Sequence, residues 1–365
     1  VCLAPPPPAA FWVSRAGVCG RVRSAMATRW GRWLLGSRRG IAAAAGLGGA
    51  TTAAASTSAG PGGREQRGSP IPRWLPSLVA QGSAAPPLRC DATAAPRLRY
   101  GTCKLRDGRL LAYHEEGSGV PIIALHGMGS SRLTWLGAAP LTELCPGARL
   151  IAVDRPGYGG SSPPPFGYSY SDFARDLEDL ADALHLPSFC VAGHSSGGPY
   201  ALAAAAVLPG RVAACAAVSS DAPYAHPLTP QELREADSFS QPAVATPEGL
   251  NGQEPRVFAE GMRAGALAKG LPAKAHAWKS GVDGWLCDWA LERLPWSFSL
   301  ESITLGPRLT VWVGGEDVEA IKIGAPFLQQ LVPGSKLRVV EGGNHGFKSE
   351  PEHLAAILKE LIENF

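Results

Sequence analysis

Six short apolar runs punctuate the chain: PIIALHG (121–127), RLIAVDRPG (149–157), SFCVAGH (188–194), VAACAAVSS (212–220), RLTVWVGG (308–315) and KLRVVEGG (336–343). Each has the length and bounds of a buried strand. Helical patterns lie between and after them. SYSDFARDLEDLADALHL sets Phe173, Leu177, Leu180, Ala181 and Leu184 at helical spacing, with Ser171 as the candidate N-cap. GGPYALAAAAVLPG (197–210) reads as an Ala-rich helix ended by Pro209-Gly210, and an amphipathic helix runs from about Glu350 to Ile362. Strands alternating with helices predict an α/β fold, a mostly parallel central sheet flanked by helices. Ahead of it, RYGTCKL, the turn Asp107-Gly108 and RLLAYHEE read as a β-hairpin. No internal repeat is present.

One stretch breaks the alternation. Residues 222–305 contain no strand pattern; they hold Trp278, Trp285, Trp289 and Trp296, several prolines, and helical patches such as Asp283 to Arg293. A helical insertion between two sheet strands is expected there, with the tryptophans forming its core.

Charge divides the chain. The net charge is +3, but residues 1–97 carry 12 Arg, no Lys and 2 acids, a net of +10, and the remaining 268 residues carry 22 basic and 29 acidic side chains, a net of −7. The basic excess therefore belongs to a leader and not to a nucleic-acid surface. The leader is rich in Ala, Gly, Ser and Pro and has no acid before Glu65. Met26 opens ATRWGRWLLGSRRG, which resembles an organelle transit peptide, mitochondrial or chloroplast; cytoplasmic residence is the alternative. The 25 residues before Met26 read as translated upstream sequence. IAAAAGLGGATTAAA is too rich in Ala, Gly and Thr to span a membrane, and no other apolar run is long enough. The predicted domains are thus a leader over 1–97 and a folded unit over 98–365. The eight cysteines show neither C-x-x-C nor a metal-like spacing, and Cys190 and Cys215 fall inside apolar runs, where a thiol acts as a small core residue.

Gly193-His194-Ser195-Ser196-Gly197 fits the G-x-S-x-G nucleophile elbow. The spacing alone is a weak signal, but here a strand precedes it and a helix follows. Glycines two before and two after the serine fit because the turn crowds those positions. Ser195 is then the nucleophile, and the Ser196 N–H is one oxyanion donor. A serine hydroxyl needs a base, and the base needs an orienting acid. Of His226, His276, His345 and His353, only His345 follows a strand in a glycine-flanked loop, EGGNHGF. Asp317, in the loop after VWVGG, is the preferred acid; Asp221, at the end of VAACAAVSS, is the alternative, with Glu316 third. ALHGMGSS offers the second oxyanion donor, the Met128 N–H, with Gly129 next. Asp154 and Arg155 in DRPGYGGSS are expected to be structural. No P-loop, dinucleotide fingerprint or zinc signature occurs.

Together, the HGMG loop, DRPGYGGSS, GHSSGG, the GGED loop and the final GGNH resemble the α/β-hydrolase superfamily over roughly Arg97 to Phe365. VEAIKIG after Asp317 departs from the Pro-rich stretch of many relatives. The resemblance implies that residues 222–305 are a cap, and that the protein hydrolyses a small-molecule acyl substrate, foremost a carboxylic ester, without cofactor or metal, through a Ser195 acyl-enzyme. Thioesters, amides and C–C bonds stay open. A carboxylate nucleophile, as in epoxide hydrolases, is disfavoured by serine at the elbow. The competing reading is a ligand-sensing protein that keeps the fold and turns over slowly, as some plant hormone receptors of this type do; a scaffold with a decayed site is third.

Overall fold

The computed structural model describes residues 98–137, 139–236 and 254–365. The expected leader, 1–97, lies outside the described residues.

Eight strands form one sheet: β1 (Arg99–Lys104), β2 (Leu110–Gly117), β3 (Val120–Leu125), β4 (Ala148–Val153), β5 (Phe189–His194), β6 (Val212–Val218), β7 (Leu309–Gly314) and β8 (Lys336–Val340). Their order is β1-β2-β4-β3-β5-β6-β7-β8. β2 pairs antiparallel with β1 and β4, and every other pairing is parallel. The predicted hairpin is β1–β2, and the six apolar runs are β3 to β8.

The inner strands are apolar on both faces because helices cover both. Along β5, Phe189 and Val191 join one core cluster, Cys190 and Ala192 the other. The first core lies under α1 (Tyr170–Ala183), α2 (Gly197–Val207) and, after β7, the helix over residues 319–331. The second lies under the C-terminal helix over residues 351–363, which buries Leu354, Ile357, Leu358 and Leu361, a spacing of 3, 1 and 3 that makes one helical stripe. Each such side chain, fully buried, contributes roughly 1.5–3 kcal/mol. Cys190 and Cys215 are core residues with free thiols, as expected.

Two details differ from the sequence reading. The N-cap of α1 is Ser169, not Ser171: the Ser169 hydroxyl accepts from the Asp172 N–H and the Asp172 carboxylate accepts from the Ser169 N–H, a reciprocal capping box. Ser171 instead donates to Ser297 O. And VEAIKIG, for which the sequence reading named no element, leads into the helix over residues 319–331, with Val318 at its N-cap.

Between β6 and β7 the described residues form α3 (Gln231–Ala236), α4 (Pro255–Ala268), α5 (Pro272–Ala277) and α6 (Asp283–Leu291). Their core holds Trp278, Trp285 and Trp289, the last two stacked. Beyond β7 come α7 (Glu319–Leu331) and, after β8, α8 (Pro351–Glu363). The chain runs from β3 outward to β4, then crosses back to place β5 on the other side of β3. Loops leaving β3 and β5 therefore diverge to opposite faces of the sheet, and such a divergence opens a crevice at the strand ends.

Candidate active site

That crevice is where Ser195 stands. The turn between β5 and α2 holds Ser195 at φ 54°, a left-handed conformation that a side chain rarely adopts. Its N–H donates to Val218 O at 2.9 Å, which fixes the turn against β6. The turn demands glycine on both sides: a Cβ on Gly193 would fall 2.1 Å from Gly197 O, and one on Gly197 would fall 2.6 Å from Leu125 O.

The structure brings Ser195, His345 and Asp317 into one line. Ser195 Oγ lies 3.1 Å from His345 Nε2, and His345 Nδ1 lies 2.7 Å from Asp317 Oδ1. Asp317 is an acceptor only, so Nδ1 carries the proton and Nε2 is free to accept from the serine. Burial disfavours the imidazolium, but the hydrogen bond and charge of Asp317 outweigh it, and the His345 pKa is raised. Burial likewise works against the Asp317 carboxylate; bonds from His345, Ser219 and the Val318 N–H overcome it and hold its pKa low. Asp221 is not the partner of Nδ1; its Oδ1 stands 3.5 Å from the Tyr224 hydroxyl, and its charge helps to raise the His345 pKa. Glu316 is exposed. The other three histidines are placed elsewhere: His276 on Asp154, His226 beside Glu301, His353 against Phe347.

The loop after β3 reaches Ser195, since a Cβ on Gly127 would fall 2.9 Å from Ser195 Cβ. Among the described residues, neither the Met128 nor the Ser196 N–H has a protein acceptor. Gly129, the second choice for a donor in this loop, is taken: its N–H donates to the Tyr158 hydroxyl at 3.2 Å.

A family model described as the alpha/beta hydrolase fold matches residues 120–252. Among solved structures, bromoperoxidase from Bacillus anthracis aligns with a TM-score of 0.54 at 22% identity, covering 73% of this chain and 97% of that one. An esterase from Exiguobacterium antarcticum aligns at 0.55 with 21% identity, covering 72% and 98%. The chain has the α/β-hydrolase fold. In sequence it is similar to a non-heme chloroperoxidase of Kitasatospora aureofaciens, 24% identical over 292 residues, 72% of this chain and 98% of that protein. It is also 31% identical to bifunctional epoxide hydrolase 2 of Sus scrofa over 180 residues, 47% of this chain. The matched part is only 32% of the Sus scrofa protein, and for a Pseudomonas putida acetyltransferase component it is 38%. These likenesses carry the fold and not the activities of those proteins.

Several residues around this site escaped the sequence reading. Ser219, at the end of β6, donates to Asp317 Oδ2 at 2.6 Å. The end of β6 thus contributes a hydroxyl that holds Asp317, where the alternative reading had it contribute the carboxylate itself. His194, between Gly193 and Ser195, donates from Nε2 to His345 O at 2.8 Å and tethers the His345 main chain. Desolvation keeps its pKa well below the usual value, so it stays neutral. His126 is fully buried, its pKa pushed down to about 3 by burial. Its Nε2 accepts the Arg155 N–H, so Nδ1 carries the proton and donates to Gly127 O at 2.8 Å. From the insertion, Glu292 accepts from Ser196 Oγ at 2.7 Å; burial, with the charges of Asp221 and Asp288, pushes its pKa well above the ordinary carboxylate range. Apart from His126 and its neighbour Gly127, these pairings join residues 29 to 151 positions apart, and no local spacing signals them. Among the described residues no cluster of His, Cys, Asp and Glu is placed to hold a metal ion, and no helix is long and apolar enough to cross a membrane.

Proposed function

We propose that this protein is a serine hydrolase that cleaves a carboxylic ester of a small-molecule acyl substrate through an acyl-enzyme, with no cofactor. The observation that carries this reading is the unbroken line from Ser195 through His345 to Asp317 at 3.1 and 2.7 Å, next to two backbone amides without acceptors.

Each residue then has a role. Ser195 Oγ attacks the carbonyl carbon as its proton passes to His345 Nε2. The carbonyl oxygen becomes an oxyanion and accepts from the Met128 and Ser196 N–H groups, each such donor contributing roughly 3 kcal/mol to the transition state. Asp317 holds the imidazole tautomer and stabilises the imidazolium. His345 returns the proton to the leaving alkoxide as the C–O bond breaks. Water, deprotonated by the same imidazole, then releases the acid and regenerates Ser195. The insertion, about residues 222–305, acts as the cap: a Cβ on Gly129 would stand 3.2 Å from the Trp278 ring, and Glu292 bonds Ser196, so its side chains border the site. Residues 1–97 direct the folded unit, 98–365, to an organelle.

Hydrolysis of p-nitrophenyl esters of graded acyl length tests the reading. A burst of about one equivalent of nitrophenolate followed by steady turnover is expected. A single slow equivalent with a stable adduct would favour the ligand-sensing alternative. Cleavage of thioesters or amides but not esters would move the substrate class.

A further inference from the structure

Asp288, on α6 of the insertion, is 2% exposed, and its carboxylate takes four donors. Arg155 gives it both terminal nitrogens, Nη2 to Oδ2 at 2.8 Å. The Tyr158 hydroxyl donates to Oδ2 at 2.6 Å and the Tyr200 hydroxyl to Oδ1 at 2.8 Å. From Arg155 and Tyr158, two paths lead to the segment that carries the Met128 N–H. On the N-terminal side, Arg155 donates from Nε to His126 O at 2.8 Å and from its backbone N–H to His126 Nε2 at 3.0 Å. His126 in turn donates to Gly127 O. That carbonyl and the Met128 N–H belong to the same peptide group, which is planar, so fixing one fixes the other. On the C-terminal side, the Gly129 N–H donates to the Tyr158 oxygen. A phenol that itself donates to a carboxylate is the stronger acceptor. Met128 is gripped through both of its peptide bonds, and both grips end on Asp288. The segments touch directly as well: a Cβ on Gly157 would fall 2.4 Å from Gly284 N, at the start of α6.

We propose that Asp288 is a positioning residue: through Arg155 and Tyr158 it holds the Met128 N–H in the orientation an oxyanion needs, so that catalysis requires α6 of the insertion to be docked. The inference rests on the serine-hydrolase reading. Oxyanion donors work because they are fixed before charge develops, and a small misplacement is enough to reduce the rate steeply.

The test uses Tyr158→Phe, Asp288→Asn and the double variant Arg155→Met/Asp288→Leu, which removes both buried charges together. Two ligands report on them: a trifluoromethyl ketone, which forms a hemiketal oxyanion on Ser195, and the matching secondary alcohol, which does not. Tyr158→Phe is expected to lower kcat by about tenfold or more with KM nearly unchanged. It should weaken the ketone by the same factor and leave the alcohol's affinity alone. The double variant should melt near the wild-type temperature yet recover neither kcat nor ketone affinity. Folded single variants with wild-type kcat and ketone affinity, or a double variant that regains both, would overturn the proposal. A wild type that neither turns over nor forms the ketone adduct would sink the serine-hydrolase reading itself, a distinct result.

Discussion

Replacing Asp317 with Asn removes a charge without, on this geometry, turning the imidazole round. Oδ1 accepts from both His345 Nδ1 and the Val318 N–H, and Oδ2 accepts from the Ser219 hydroxyl. An asparagine can put its NH2 on only one side. Facing the Val318 N–H it would meet another donor; facing Ser219 it meets a hydroxyl that can rotate and accept. The amide oxygen therefore stays toward His345, and the working tautomer is kept. What is lost is the charge opposite the imidazolium, ~4 kcal/mol for unit charges 4 Å apart at an effective dielectric near 20. The His345 side chain is 38% exposed, and water screening trims the loss to ~3 kcal/mol. That is a fall of about 10²-fold in kcat, whereas a turned imidazole would give on the order of 10⁴-fold. A pH profile supplies the second readout. Activity needs neutral His345, whose pKa stands above 6.5 because Asp317 outweighs burial. The acidic limb should therefore move to lower pH in the variant. A loss under about tenfold with an unmoved limb would refute the role given to Asp317. A loss near 10⁴-fold would refute the orientation argued from Val318.

Asp221→Asn should leave kcat within a few-fold of wild type; a loss larger than that of Asp317→Asn would move the acid to the end of β6. Met128→Ala should spare kcat, because the donor is the backbone amide, and any effect should fall on KM. Lys348 is buried, donates to Thr134 O, and has its pKa pushed down to about 8 by burial. Above pH 8 the unfolded chain binds the extra proton at this side chain, so the Lys348 contribution to stability should rise between about pH 8 and 10.5, by on the order of 3 kcal/mol, against the opposite trend of the buried cysteines and tyrosines whose pKa values are raised. Urea denaturation of wild type beside Lys348→Met checks this: the wild type should gain on the variant across that window, and a difference that stays flat with pH would contradict it. A fluorescent fusion of residues 26–97 should enter an organelle, and a diffuse cytosolic signal would contradict the transit reading.

The parts legible in the sequence were those with a local signature. Apolar runs of strand length marked β3 to β8 because both faces of an inner parallel strand are buried. The elbow was legible because its glycine spacing is local, although only the crowding at Gly193, from Gly197 O, acts within five residues; at Gly197 it comes from Leu125 O at the end of β3. Asp317 and His345 were placed by their positions after β7 and β8. Pairing through space left no such mark. Ser219, His126 and His194 act on partners in other loops, and Asp288 meets Arg155 across 133 residues. Helix α7 went unread; Pro326, a residue that ordinarily interrupts a helix, sits inside it. Gly129 had a donor's position in the sequence, but Tyr158, which occupies its N–H, comes from the loop after β4.

The central claim is that Ser195 is an activated nucleophile. Fluorophosphonate labelling of the purified protein beside Ser195→Ala tests it most directly. The account predicts that wild type is labelled and the variant is not; a folded wild type that resists the probe, or a variant that still takes it, would contradict it.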